Sequence, residues 1–113
     1  MQMVEQQWKT LCQKDDLVVN SGVCALLDGE QIAIFCIGED KQEVYAIGNY
    51  DPKGKANVLY RGIIGSIGDE LVVASPLYKD HFSLTTGVCT ENTELSVPVY
   101  QVRVSGQEVQ VLV

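Results

Sequence analysis

Val23-Cys24-Ala25-Leu26-Leu27-Asp28-Gly29-Glu30-Gln31-Ile32-Ala33-Ile34-Phe35-Cys36-Ile37 carries the strongest structural signal in the chain. Two apolar runs flank Asp28-Gly29, and an Asp-Gly pair in that setting marks a tight β-hairpin. The second run, Ile32 to Ile37, is apolar at successive positions, so both faces of its strand are expected to be covered, as in a central strand.

Further along, Glu43-Val44-Tyr45-Ala46-Ile47 reads as another strand, followed by a polar stretch from Gly48 to Ser66 expected to form a long loop. Leu71-Val72-Val73-Ala74 is a short strand stopped by Ser75-Pro76, because proline removes a ladder donor and restricts the residue before it. Val99 to Val104 alternates as a single strand, Ser105-Gly106 supplies a turn, and Glu108 to Val113 completes a hairpin that ends inside the sheet. Apolar residues nowhere hold a helical period long enough for a helix. The expectation is an all-β fold, a small sandwich or barrel with two projecting loops, spanning residues 1–113 as one domain.

Fifteen acidic against eight basic residues give a net charge of −7, which repels nucleic-acid phosphates and anionic lipid headgroups. The opening Met1-Gln2-Met3-Val4-Glu5-Gln6-Gln7-Trp8 has neither a basic nor an apolar leader, and no apolar run approaches bilayer length. A cytoplasmic place follows, with neither nucleic acid nor membrane as partner. Cys12, Cys24, Cys36 and Cys89 are expected to be reduced and at least partly buried, since no pair has the close spacing of metal or cluster ligands. Gly62-Ile63-Ile64-Gly65-Ser66-Ile67-Gly68 lacks the Gly-x-Gly-x-x-Gly order of a nucleotide loop and reads as a plain turn.

Two segments resemble the cluster-binding loops of Rieske proteins: Asn49-Tyr50-Asp51-Pro52-Lys53-Gly54-Lys55-Ala56 and Val73-Ala74-Ser75-Pro76-Leu77-Tyr78-Lys79-Asp80-His81-Phe82-Ser83-Leu84-Thr85-Thr86-Gly87. In that family a Cys-x-His pair and a Cys-x-x-His pair hold a two-iron cluster. The resemblance puts Asp51 and Lys53 at the first pair of ligand positions, and Ser75 and Tyr78 at the second. A lysine ammonium has no lone pair to donate, and serine and tyrosine hydroxyls stay protonated at neutral pH, so the resemblance implies a degenerate, metal-free site. Asp51 can accept backbone N–H bonds or pair with Lys53 or Lys55, while Ser75 and Tyr78 offer hydroxyls, a polar substitute for the cluster.

Among cluster-free Rieske relatives the chain is similar to the small subunits of NAD(P)H nitrite reductases. The similarity rests on Gly22 to Leu27, Gln31 to Phe35, Asp51-Pro52, Ala56 to Gly62, Ala74 to Leu77 and Ser96 to Tyr100. That family often has an aromatic after Asp-Pro, where this chain has Lys53. The resemblance implies an accessory subunit of an assimilatory-type enzyme that reduces nitrite to ammonium. FAD, siroheme and a 4Fe-4S cluster would lie in the large subunit, and no cofactor in this chain. Its rivals are a cluster-free binding or regulatory module of another reductase or oxygenase, and an electron-transfer ferredoxin, which the missing ligands oppose.

Lys53, Lys55, Arg61 and Lys79 are half of the basic residues, and by the Rieske analogy they gather near one tip as candidates for partner docking. Arg61 is also a candidate partner for Asp51 in a loop-bracing salt bridge. His81, the single histidine, reads as a polar residue beside a strand. Ser75 follows a strand as a nucleophile would, yet no histidine with an orienting carboxylate is legible beside it, so no catalytic residue is expected. Trp8 and Tyr100 read as packing residues with polar ends near the surface.

Overall fold

The computed structural model describes residues 6–113. The opening segment, residues 1–5, in which no leader is expected, lies outside the described residues. Twelve strands follow in order: β1 (Trp8–Gln13), β2 (Ser21–Leu27), β3 (Glu30–Ile37), β4 (Glu43–Gly48), β5 (Tyr50–Asp51), β6 (Ala56–Asn57), β7 (Ile63–Ile67), β8 (Glu70–Ala74), β9 (His81–Ser83), β10 (Val99–Tyr100), β11 (Val102–Ser105) and β12 (Glu108–Leu112). Helical structure is confined to single 3-10 turns at Lys14–Asp16 and Leu59–Arg61, and no helix among the described residues is long and apolar enough to cross a membrane.

The hairpin forms as its sequence dictates. Asp28 and Gly29 take φ of 50° and 85°, the left-handed pair whose twist matches that of the flanking strands. β2 and β3 then run in unbroken antiparallel register from Leu27↔Glu30 to Ser21↔Cys36. β4 pairs on the other side of β3, and β10 completes a four-stranded sheet in the order β10-β4-β3-β2. A second sheet is ordered β1-β12-β11, a third β7-β8-β9, and β5 and β6 form a short hairpin of their own.

β3 lies between two cores. Ala33 and Phe35 pack on one face with Ile47, Leu59, Val73 and Phe82, so this cluster joins the four-stranded sheet to β7–β9. Ile32, Ile34 and Cys36 point the other way, onto Leu17, Ala46 and Val109, and join it to the sheet containing β12. The strict alternation of a strand makes this possible, and burying each large apolar side chain stabilises the fold by roughly 1.5–3 kcal/mol.

Several sequence expectations change in detail. Gly48–Ser66 is not one loop: it holds β5, β6, the second 3-10 turn and most of β7. Gly62–Gly68 is not a plain turn either, because Ile63–Ile67 pairs along its whole length with β8 and the chain reverses only at Gly68-Asp69. Val99–Val104 is two strands, since the chain leaves β4 after Tyr100 and joins β12 from Val102. β1 and β9 carried too little pattern to be read. All four cysteines are free thiols; Cys36 and Cys89 are buried and Cys12 is half-buried, but Cys24 is exposed on β2, the edge strand.

Two connections carry the segments of interest. β4 runs through Asn49 into the β5–β6 hairpin, and β8 runs into Ser75–Asp80. Asn49 is fully buried, and it anchors the first connection. Its side-chain amide donates to Gln31 Oε1 at 3.1 Å, and its side-chain oxygen accepts from the Tyr60 amide at 2.8 Å. Its backbone N–H reaches the Gln31 carbonyl at 3.1 Å, and its own carbonyl accepts from the Leu59 amide at 3.1 Å. The hairpin is thereby tied both to β3 and to the 3-10 turn.

Candidate functional site

Asp51 ends β5 with its carboxylate turned inward and only 1% of the residue exposed. Oδ1 accepts from the backbone N–H of Lys53 at 2.9 Å and of Gly54 at 3.0 Å, an Asx-type closure of the turn. Oδ2 accepts a hydrogen bond from the hydroxyl of Ser75, which is equally buried. Ser75 Oγ in turn accepts from the Leu77 amide at 3.3 Å. One buried carboxylate therefore closes the first loop and fastens it to the second. Gly54 permits this, because a Cβ there would meet the Leu77 side chain and lie 3.0 Å from Asp51 Oδ2.

Lys53 and Tyr78 meet above that bond. The ammonium sits 5.2 Å from the centre of the Tyr78 ring, and it pairs with Asp80 at 3.1 Å. The hydrogen bond to Asp80 holds the Lys53 ammonium above the ordinary lysine value. The four positions singled out in the sequence thus come together in two pairs: Asp51 with Ser75, and Lys53 with Tyr78. Asp51 takes backbone and hydroxyl donors rather than the ammonium of Lys53 or Lys55. Tyr78 contributes its ring to Lys53, where the sequence suggested its hydroxyl.

The basic residues divide. Lys53 is engaged by Asp80, whereas Lys55, Arg61 and Lys79 form no ion pair among the described residues. Arg61 does not brace Asp51; its Nε donates to the Tyr60 hydroxyl at 2.8 Å and its guanidinium lies 5.4 Å from that ring. Trp8 packs under a cation as well, with the Arg103 guanidinium 4.1 Å from its ring.

Arg61, Ile63, Ala74, Pro76, Lys79 and His81 surround a cleft of about 500 Å³ beside the tip, where the start of β7 meets the end of β8. His81 is not a solitary polar residue. Its Nδ1 lies 2.6 Å from Glu91 Oε2, and its backbone N–H donates to Glu91 Oε1 at 2.7 Å. Burial opposes ionisation of Glu91, yet the hydrogen bonds from His81 outweigh it and bring the carboxyl down to about 2. Asn49, Asp80 and Glu91 had no sequence signal of their own, because each gains its partner only when distant segments meet. Among the described residues no group of three or more His, Cys, Asp or Glu side chains is placed to hold a metal ion.

Comparison with known proteins identifies the family. Residues 7–112 match the model of the Rieske-like [2Fe-2S] domain family. The nitrite reductase (NADH) small subunit of Escherichia coli K12 is 47% identical over 104 residues, which cover 92% of this chain and 95% of that protein. A crystal structure described as an NADH-dependent nitrite reductase small subunit from Mycobacterium tuberculosis is 42% identical, with a TM-score of 0.86 over 96% of each chain. The nitrite reductase [NAD(P)H] large subunit of Klebsiella oxytoca also contains a similar stretch, 38% identical over 92% of this chain but only 11% of that protein. By fold, by sequence and along nearly its whole length, the chain belongs to the Rieske-like domain family and, within it, to the small subunits of NAD(P)H nitrite reductases.

Proposed function

We propose that this chain is the accessory, non-catalytic subunit of an assimilatory-type NAD(P)H nitrite reductase, that it binds the large flavin and siroheme subunit, and that it holds no cluster itself. The observation that carries the proposal is the pairing at the tip. Asp51 is fully engaged by Ser75 and two backbone amides, and Lys53 brings a cation where an iron ligand would need a lone pair. The donor set does not fit a Rieske cluster, so no electron-transfer step is routed through this chain. Electrons from NAD(P)H would pass through FAD, the 4Fe-4S cluster and siroheme of the partner.

Association with a large subunit is supported by the Klebsiella oxytoca relative, in which a stretch like this one lies within the large chain. Covalent linkage there supplies a high effective concentration, whereas a separate subunit has to hold on through its own surface. The cations suited to this are Arg61 and Lys79, which line the cleft; Lys53 is held by Asp80, and Lys55 does not line the cleft. Four free thiols fit a cytoplasmic, reducing setting.

Anaerobically purified protein should be folded and colourless, with substoichiometric iron. Reconstituted with its large subunit, it should support NAD(P)H-dependent nitrite reduction that is lost when this chain is omitted. A visible absorption band with stoichiometric iron and sulfide would overturn the cluster-free reading. Full activity of the large subunit alone would overturn the accessory role.

A further inference from the structure

We infer that the cleft between Arg61 and Lys79 is the seat of the large subunit, and that it takes an acidic side chain flanked by an apolar one. The inference rests on the proposed association and says where on the surface it occurs and what the partner presents.

The cleft is bipolar. Ile63, Ala74 and Pro76 give it an apolar lining, and Ile63 is 78% exposed at the start of β7, an edge strand among the described residues. Isolated exposed apolar residues are ordinary, but this one borders a concavity of about 500 Å³. The rim is cationic. Neither Arg61 nor Lys79 forms an ion pair among the described residues, although the chain carries fifteen acidic residues against eight basic ones. Of the neighbouring groups, Lys53 pairs with Asp80, and His81 Nδ1 is hydrogen-bonded with Glu91 Oε2 at 2.6 Å. Two cations without an ion pair among the described residues therefore line an apolar cleft on an otherwise acidic molecule.

A wholly apolar partner would desolvate both cations without compensation, and a wholly anionic one would leave Ile63 and Pro76 without contact. A carboxylate side chain beside an apolar residue satisfies both halves, with the carboxylate between Arg61 and Lys79 and its neighbour against Ile63. Lys79 is placed for this by its own backbone. It takes φ of 60° and donates its N–H to the carbonyl of Ser75, the residue whose hydroxyl fastens the second loop to Asp51, at 2.9 Å.

The test measures the affinity of purified large subunit for this chain and for Lys79→Glu, Ile63→Ser and Lys55→Glu. All three positions are exposed, and circular dichroism verifies that each variant folds. Lys79→Glu and Ile63→Ser should each weaken binding by about tenfold or more, because one reverses a desolvated charge and the other removes the apolar contact. Lys55→Glu, which makes the same charge change at the loop apex, should weaken it less than about threefold, the scale of a solvated surface charge. Binding that survives both cleft variants overturns the cleft and leaves the proposed association standing. Failure of the unaltered chain to bind overturns both. Sedimentation of this chain alone as a dimer that Lys79→Glu dissociates would give the cleft to a second copy and overturn the assignment to the large subunit.

Discussion

Between β2, β3 and β4 the chain pairs backbone to backbone in continuous register, and both faces of β3 are sealed by apolar side chains. At the tip, Asp51 and Ser75 stand 24 residues apart in sequence, and their loops meet through a carboxylate–hydroxyl bond, an ion pair and a cation–π contact. The sheet distributes its stability over many similar contacts, so most exchanges of one apolar residue for another of similar size are tolerable. The tip concentrates its order in a few polar atoms whose partners cannot be exchanged independently.

The largest effect should come from Phe35→Ala, which empties the centre of one core. Truncation of a buried phenylalanine costs roughly 3–5 kcal/mol, and urea unfolding monitored by circular dichroism would read it. A loss under about 1 kcal/mol would mean that the sheet does not depend on its core in this way.

Asp51→Ala should be second in size and different in kind. It strands the Ser75 hydroxyl and the Lys53 and Gly54 amides, and a buried polar group left without its partner costs about 1–3 kcal/mol. Hydrogen exchange should show lost protection at Lys53, Gly54 and Leu77 while amides of the β3–β4 ladder keep theirs. Equal loss in both regions would erase the distinction between them.

The smallest effect should be a pH dependence beside the cleft. Glu91 titrates near 2 in the folded protein against an ordinary 4.5, so its ionised form contributes stability that is present above about 4.5 and lost as pH falls toward 2. Glu91→Gln should flatten that part of the acid unfolding curve by lowering stability at neutral pH while leaving it unchanged near pH 2, and the loss should be small because the carboxylate is 45% exposed. An unchanged acid limb would remove the His81–Glu91 pair from the list of contacts that matter.

The same division explains what could be read in advance. The Asp28-Gly29 turn, the double-faced run Ile32–Ile37 and the stop at Ser75-Pro76 are local signals, each legible within a few residues, and all three appear in the structure. β9 is three residues long and β7 is interrupted by Gly65, so neither has enough alternation to declare itself; pairing with β8 makes them strands. At the site, residue types identified the two loops but could not choose among partners for Asp51. That choice depends on which oxygen faces which loop once the sheets have packed. Asp80 and Glu91 were missed for the same reason, as surface acids that acquire a role only through a distant neighbour.

The position of β12 has a further consequence, for synthesis. It lies between β1 and β11, and β1 pairs with no other strand in its sheet. During translation the segment Trp8–Gln13 therefore emerges long before its hydrogen-bonding complement and waits, unpaired, until Glu108–Leu112 has left the ribosome. Closing that ladder is a late, long-range event, and the nascent polypeptide is most exposed to aggregation and proteolysis in the interval before it.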